Sequence, residues 1–157
     1  MSLKTLRQLP VFADVAERDL ALLASMARRV QIEAGQQVFA QGAPAADLYF
    51  LIEGQVAIRY RPFDAETLTV SMITPGEVFG WSAFMGRANY TSSAIGREAG
   101  LALAVAGSDF RALCEDHPQT GILLVERLAD VIAGRLTSTR QAILELLSQA
   151  VAGLSPV

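Results

Sequence analysis

The sequence predicts one domain built on an all-β barrel or sandwich, with helical segments at both ends. A chain of 157 residues corresponds to one ordinary domain with a single sizeable core. From residue 30 to about residue 106, short β-rich runs alternate with turn residues, which is the spacing of a barrel or sandwich. The flanking segments carry helical periodicity instead. We therefore expect N-terminal helices over residues 4–29, a β region over 30–107 and C-terminal helices over 108–150.

The composition disfavours several classes of protein. Hydrophobic residues make up 52% of the chain, which argues against disorder, and no run reaches the ~18 apolar residues of a membrane span. The first residues lack the apolar stretch of a signal peptide. A net charge of -3 and a pI near 5.1 give no overall positive field for nucleic acid. We expect a cytoplasmic protein with no membrane insertion and no direct nucleic acid binding.

Residues that support catalysis or metal binding are scarce. Cys114 is the only cysteine and His117 the only histidine, so the sequence offers no disulfide framework, Cys–His pair or metal cluster. Cys114 is interpreted as a small core residue and His117 as a helix-start residue. We expect neither enzyme activity nor a cofactor.

The N-terminal segment predicts two short helices. The first covers residues 4–9 and stops before Pro10, and the second covers residues 17–28. The second helix places four apolar residues on one face: Leu20, Leu23, Ala24 and Ala27.

Two patterns predict strands in the β region. Residues 48–52 are continuously apolar, as in a strand that is buried on both faces. In the next segment Val56, Ile58 and Tyr60 alternate with a more polar face, formed by Gln55, Ala57, Arg59 and Arg61. We expect Arg59 and Arg61 to be solvated, with a ligand role as the alternative.

The C-terminal segment predicts a short helix capped by Ser108 and a long helix opened by Pro118 at its first position. The long helix is expected to reach about residue 148, a length of roughly 45 Å. Steps of three and four relate a set of its residues, a pattern typical of a coiled-coil dimer contact. The set is Ile122, Val125, Ala129, Ile132, Leu136, Thr139, Ile143 and Leu146.

A second apolar stripe exists only in the first half of this helix: Leu124, Leu128 and Val131. That half is therefore expected to pack on its own domain as well as on a partner helix. The alternative is an amphipathic helix that folds back entirely onto its own domain.

Residues 74–85 (TPGEVFGWSAFM) and 90–94 (YTSSA) form the most informative motif. A Phe-Gly turn leads toward a short helix, and a strand rich in small hydroxyl residues follows. The motif resembles the phosphate-binding cassette of cyclic nucleotide-binding domains, whose turn and helix N-terminus cradle a cyclic phosphate with backbone N–H groups. That family has a Glu after Phe-Gly, which bonds the ribose, and an Arg before Ser/Thr-Ala, which pairs with the phosphate. Trp81 and Tyr90 occupy these two positions here.

Further segments extend the resemblance to the effector domain of the cAMP receptor protein / fumarate-nitrate regulator superfamily. They are residues 9–12 with 17–20, residues 34–42, and residues 48–56, where Gly54 is expected to turn a hairpin. The resemblance implies a mainly β fold, a jelly roll flanked by helices, and a homodimer formed through the last helix. The family's transcription factors continue into a helix-turn-helix domain, whereas this chain stops at Val157, so we expect no DNA-reading head.

The cassette supplies the candidate ligand-binding residues: Phe79, Gly80, Trp81, Ser82, Ala83, Tyr90, Thr91 and Ser92. Trp81 is expected either to form an aromatic wall for a different ligand or to fill the pocket. Tyr90 carries no charge at pH 7. Arg87 is a possible anion contact, with a solvent-facing position as the simpler interpretation. Without the Glu and the Arg of the family, cAMP and cGMP are expected to bind weakly.

The leading hypothesis is a non-catalytic sensor module that binds a small effector between the barrel and the long helix, other than cAMP in its usual pose. Two alternatives stay open. One is a ligand-free dimerisation or interaction module, and the other is the sensor half of a transcription regulator whose DNA-binding part is absent from this chain.

Overall fold

The computed structural model describes residues 2–62 and 66–154, apart from the side chains of residues 135–140, 142, 143, 146 and 149–154. Within these ranges the helices are α1 (Leu3–Arg7), α2 (Glu17–Met26), α3 (Gly107–Asp116) and α4 (Pro118–Leu154), with a 3-10 helix at Pro10–Phe12. The strands lie between α2 and α3. They are β1 (Arg28–Ile32), β2 (Gln37–Phe39), β3 (Asp47–Tyr60), β4 (Leu68–Ile73), β5 (Val78–Phe79) and β6 (Ser93–Ala106).

The strands form one antiparallel sheet that wraps into a jelly roll. The strand order is β1-β6-β3-β4, and off this path β2 pairs with β6 and β5 pairs with β3. Strands β3 and β6 have 14 residues each and pair along most of their length, with Asp47 opposite Ala106 and Arg59 opposite Ser93. The prediction of a mainly β fold with flanking helices is confirmed.

The predicted hairpin turn at Gly54 is wrong, because β3 continues through this residue. The pairing between β3 and β6 shifts register between Leu51 and Val56 instead. Gly54 has a φ of +91°, and a Cβ atom there would lie 2.9 Å from the carbonyl oxygens of Glu98 and Ala99. The glycine therefore lets two long strands approach closely and bend together as a bulge.

Two smaller predictions also differ from the structure. Ser108 is the second residue of α3, and no side chain caps that helix, because the chain enters it directly from β6. The N–H of Gly107 is held instead by the carbonyl oxygen of Ala46, at 2.8 Å. Ala57, predicted on the polar face of its strand, is fully buried. Its small side chain lies between Met72 of β4 and Ile95 of β6.

Two clusters of buried side chains make up the core. The larger one joins the N-terminal helices to the barrel and to both C-terminal helices, and Leu20, Phe50 and Leu128 belong to it. The smaller one fills the inside of the barrel and contains Tyr49 and Phe79, whose rings stack with centroids 5.0 Å apart. The helices thus cover one side of the barrel, and the site described below lies where α4 crosses it.

The first half of α4 packs on its own domain. The helix begins at Pro118, as predicted. Leu124 and Leu128 are completely buried, and Val131 packs against the same cluster. Burial of a leucine side chain stabilises a fold by roughly 1.5–3 kcal/mol, so these apolar residues hold the first half of α4 against its own domain.

Two polar contacts hold α4 to the N-terminal segment. The Thr120 hydroxyl donates to the Asp19 carboxylate at 2.5 Å, in a buried position. Arg127 forms an ion pair with Asp14, and this hydrogen bond lowers the pKa of the Asp14 carboxyl.

The predicted dimer seam faces away from the domain in its first turns. Ile122 is 61% exposed, Val125 is 38% exposed and Ala129 is also exposed, whereas Ile132 is half-buried. The remaining seam side chains lie outside the described residues: Leu136, Thr139, Ile143 and Leu146. The dimer stays a prediction.

Candidate functional site

A cavity of about 430 Å³, here called the inner cavity, lies between the barrel and α4. Its size is that of a small-molecule site. Strands β3 and β4 contribute Ile58, Val70, Ser71 and Ile73. The cassette side contributes Glu77, Val78, Phe79, Trp81, Thr91 and Ser92. The α4 side contributes Val131, Ile132 and Gly134.

The cassette positions its residues through consecutive turns, and the predicted short helix after Phe-Gly is wrong. Gly80 takes a φ of +74°, and a Cβ atom there would lie 2.9 Å from the Asp47 carbonyl oxygen. The chain turns again at Gly86, where φ is +71°, before a helix can develop. The cassette therefore holds one α-type turn, closed by the Met85 N–H that donates to the Trp81 carbonyl oxygen at 3.0 Å, in place of the predicted helix.

Trp81 forms part of the wall of the inner cavity. Its half-buried ring packs against the larger core cluster and leaves the cavity open beside it. This placement supports the interpretation of Trp81 as an aromatic wall over the interpretation as a plug.

Tyr90 lies away from the inner cavity and clamps the start of β3. Its side chain is buried, and its ring stacks on Phe39 with centroids 3.7 Å apart. The hydroxyl donates to the Asp47 carbonyl oxygen at 2.6 Å and accepts from the Asp47 N–H at 3.0 Å. Burial raises the pKa of the phenol, so it stays neutral. Tyr90 thus replaces the family's phosphate-binding Arg with a structural contact.

The other predicted residues divide in the same way. Phe79, Thr91 and Ser92 line the inner cavity together with Trp81. Gly80, Ser82 and Ala83 belong to the turns that support it and do not line it. Ser82 and Ala83 are buried, and Arg111 donates to the Ala83 carbonyl oxygen at 3.2 Å.

Arg87 is exposed and does not line the cavity. Its backbone N–H donates to the Ser82 carbonyl oxygen at 3.0 Å, which closes the last turn of the cassette. The solvent-facing interpretation fits this position.

Sequence reasoning missed the strand and helix residues of the cavity. The alternation along β3 placed Ile58 on the apolar face of its strand but did not connect it with the ligand site. Ile132 was assigned only to the dimer seam and Val131 only to packing. Nothing local marks the part of α4 that faces the cavity, because that depends on how the helix crosses the barrel.

The inner cavity combines apolar walls with one acidic group. Glu77 is the only charged residue in the described lining, and its carboxylate accepts the Thr74 N–H at 2.9 Å. Ser71 adds a hydroxyl oxygen that is buried and has no hydrogen-bond partner. Together with Thr91 and Ser92, it gives the described lining three hydroxyl-bearing side chains and one carboxylate among apolar walls.

Catalytic chemistry finds little support among the described residues. They contain no group of three or more His, Cys, Asp or Glu side chains that could hold a metal ion. Burial, followed by the nearby Glu115 carboxylate, raises the pKa of the Cys114 thiol, which disfavours the reactive thiolate. Within the same described ranges, no helix has the length and hydropathy of a membrane-spanning segment.

Comparison with known proteins gives a consistent family match. The sequence profile of the cyclic nucleotide-binding domain matches residues 29–117, more than half of the chain. A CRP-like cAMP-activated global transcriptional regulator of Mycobacterium tuberculosis is 28% identical over 143 residues, which cover 91% of this chain and 62% of the regulator.

Solved structures agree with this match. The Catabolite Activator Protein of Thermus thermophilus has 28% identity and a TM-score of 0.70, covering 88% of this chain and 63% of that chain. A cyclic nucleotide-binding domain from Methylobacillus flagellatus has a TM-score of 0.80 at 16% identity, covering 91% of this chain and 80% of its own, and supports the fold alone. The chain spans less than two thirds of the length of the two regulators.

Proposed function

Because this chain belongs to the cyclic nucleotide-binding domain family, we propose that it is a non-catalytic regulatory module that binds a small effector in the inner cavity. The observation that carries the proposal is the position of this cavity, whose lining comes from the barrel and from α4 together. An effector that fills it contacts both at once. If its affinity differs between two orientations of α4, binding shifts the helix toward the favoured one.

The anchored part of α4 indicates where along the helix an effector would act. Leu124 and Leu128 are buried against the domain, and Thr120 bonds Asp19. The cavity-lining residues Val131 and Ile132 follow these anchors along the chain. An effector would therefore act on the helix just after its anchored part.

The residues at the two cassette positions disfavour a cyclic nucleotide in its usual pose. The M. tuberculosis relative is cAMP-activated. In this chain Trp81 stands at the position of the ribose-binding Glu, and Glu77 is the only charge in the described lining. At the position of the phosphate-binding Arg stands Tyr90, a neutral phenol that donates to the Asp47 carbonyl oxygen and supplies no charge for a phosphate.

Calorimetry with matched probes tests the proposed ligand class. cAMP and cGMP carry the phosphate, whereas adenosine and guanosine present the same bases and ribose without it. We expect neither cyclic nucleotide to bind with sub-micromolar affinity, and each nucleoside to bind at least as well as its cyclic nucleotide. Sub-micromolar binding of cAMP would contradict the proposal and indicate another anchor for the phosphate.

A filled-cavity variant localises any binding that is found. Gly134→Phe places a ring on the α4 side of the inner cavity, where a Cβ atom would meet no atom within 4 Å. Asp130→Phe places a ring at an exposed position of the same helix that neither lines the cavity nor belongs to the predicted seam, and it serves as the control. Binding that persists in Gly134→Phe would lie outside the inner cavity. Absence of binding by all four probes would favour the ligand-free module.

We also propose that α4 joins two copies of the chain into a dimer. Ile122 and Val125 expose apolar surface on the face that is turned away from the domain. Light scattering should give about twice the chain mass of 16.8 kDa. Ile122→Glu with Val125→Glu should give the monomer, because like charges would meet across the seam. A monomeric wild type would contradict the dimer.

The similarity to the M. tuberculosis regulator favours one specific alternative, the sensor half of a transcription factor. The gene's reading frame after the codon for Val157 separates the two possibilities. An in-frame helix-turn-helix sequence would make the effector-binding module one part of a DNA-binding regulator.

A further inference from the structure

A second cavity, here called the outer groove, has a volume of about 480 Å³ and uses the other face of β3. Successive residues of a strand point to opposite faces of the sheet. Ile58 lines the inner cavity, whereas its neighbour Arg59 lines the outer groove with Arg61. The two cavities therefore share a strand and no lining residue.

The lining of the outer groove is polar and basic. Besides the two arginines, four residues bring amide or hydroxyl groups: Gln37, Gln41, Thr67 and Ser93. Its described lining contains no Asp or Glu. Two guanidinium groups on one face contrast with the chain's net charge of -3. The described lining of the groove is thus basic, although the molecule as a whole is acidic.

Arg59 lines the groove with a half-buried side chain. Its Nε is buried and has no hydrogen-bond partner. An N–H of a charged group that is removed from water without an acceptor destabilises the fold. The buried Nε is closed to a ligand oxygen as it is to water, so a phosphate or carboxylate would bond the terminal N–H groups of this guanidinium, which can donate two parallel bonds to two oxygens of such a group.

The frame around Arg59 is held by hydrogen bonds that need no ligand. The Gln41 side-chain amide donates to the Arg61 carbonyl oxygen at 3.1 Å, and its oxygen accepts the Arg61 N–H at 2.9 Å. The Gln41 backbone N–H donates to the Ser93 hydroxyl at 2.8 Å. These bonds tie the end of β3 to the start of β6. They preorganise the groove and reduce the ordering cost of binding.

We propose that the outer groove binds an oxyanion, the phosphate or carboxylate group of a small ligand, through the Arg59 guanidinium. Arg61 adds positive charge at the same face. The site is separate from the inner cavity, so it stands whether or not an effector binds there.

Nitrogen-resolved NMR of the whole chain tests the site directly, because the Nε–H of Arg59 gives its own signal. Inorganic phosphate and acetate are the probes, and sodium chloride at matched ionic strength is the reference. We expect at least one probe to shift the Arg59 signal saturably, whereas chloride leaves it in place. A response to phosphate alone, or to acetate as well, identifies the preferred oxyanion. No saturable shift with either probe, or an equal shift with chloride, would overturn the proposal.

Variants then separate a specific contact from general charge. Arg59→Gln should weaken binding, followed on the backbone signals of Gln41 and Ser93, by about tenfold. Arg59→Lys keeps the charge and loses the fork, so it should also weaken binding. Arg97→Gln removes an exposed charge from β6 outside the groove and should leave binding unchanged. Equal losses of oxyanion affinity in Arg59→Gln and Arg97→Gln would overturn the site. If the Arg59 variants fail to fold, the NMR titration of the wild-type chain decides the question.

Discussion

The inner cavity and the outer groove use the two faces of one strand and differ in the sign of their charge. The inner cavity has apolar walls and one carboxylate, Glu77, whereas the outer groove has Arg59 and Arg61 and no acidic group in its described lining. Each holds one buried polar atom without a partner, Ser71 Oγ inside and Arg59 Nε outside. The strand's alternation separates the two chemistries.

The largest expected effect tests whether Tyr90 belongs to the frame rather than to a ligand site. Tyr90→Arg restores the family's charge, but it places a guanidinium where a ring now stacks on Phe39. We expect a loss in the free energy of unfolding of roughly 3 kcal/mol or more. Tyr90→Phe keeps the ring and loses the two bonds to Asp47, so it should lose about 1–3 kcal/mol. Urea unfolding measures both, and a Tyr90→Arg protein as stable as wild type would contradict the assignment.

The next effect is a loss of stability at alkaline pH, and it arises in the aromatic interior of the barrel. Burial, with a smaller contribution from the Asp47 carboxylate, raises the pKa of Tyr49 to about 12. The folded chain therefore holds this proton more tightly than the unfolded chain, whose tyrosines titrate near 10. Stability is complete below pH ~10 and falls toward pH ~12, by on the order of 2 kcal/mol. Urea midpoints across this range measure the fall.

A phenylalanine variant is the control for the alkaline effect. Tyr49→Phe should reduce the fall without abolishing it, because Tyr90 is a second buried phenol whose pKa is raised. A wild-type profile that stays level while absorbance reports tyrosinate would show that the Tyr49 pKa does not govern stability.

Two glycines on α4 separate its packed start from its cavity-lining part. A Cβ atom on Gly121 would lie 2.7 Å from the Cα of Cys114, so Gly121→Ala should destabilise the fold by about 1–3 kcal/mol. A Cβ atom on Gly134 would meet nothing within 4 Å, so Gly134→Ala should stabilise it by about 0.5–1 kcal/mol through helix propensity. Thermal unfolding gives the sign of each change. Equal signs would mean that α4 packs differently from the arrangement described.

The smallest expected effect concerns the Ser71 hydroxyl, one of the two buried polar atoms without a partner. Ser71→Ala removes a buried hydroxyl that makes no hydrogen bond, so the free energy of unfolding should change by less than about 0.5 kcal/mol. A loss of more than about 1 kcal/mol in the free energy of unfolding, the typical contribution of one hydrogen bond, would indicate that the Ser71 hydroxyl has a partner in solution. The same variant should weaken any ligand that bonds this hydroxyl in the inner cavity, and it should leave the outer groove unchanged.

Local patterns in the sequence predicted the elements well where one periodicity dominated. Pro118 opens the long helix, and the continuous apolar run at residues 48–52 lies within β3. The turn at Gly54 and the cassette helix were predicted wrongly. Glycine with a positive φ serves a turn, a bulge or a helix end equally well. Which one forms depends on the opposing strand, as the contacts of Gly54 with β6 illustrate.

The sequence by itself determined the family, the mainly β architecture and the absence of the two charges that bind a cyclic nucleotide, because motif order and residue identity are local information. The tertiary structure alone decided which of the predicted residues meet. It brings Trp81, Thr91 and Ser92 to one cavity with Val131 of α4, and it turns Tyr90 away into a clamp on Asp47. It also places Arg59 and Arg61 beside Gln37 and Ser93. The reason is physical, since a cavity is bounded by side chains from distant segments, and only the packing of helix and sheet fixes which of them share it.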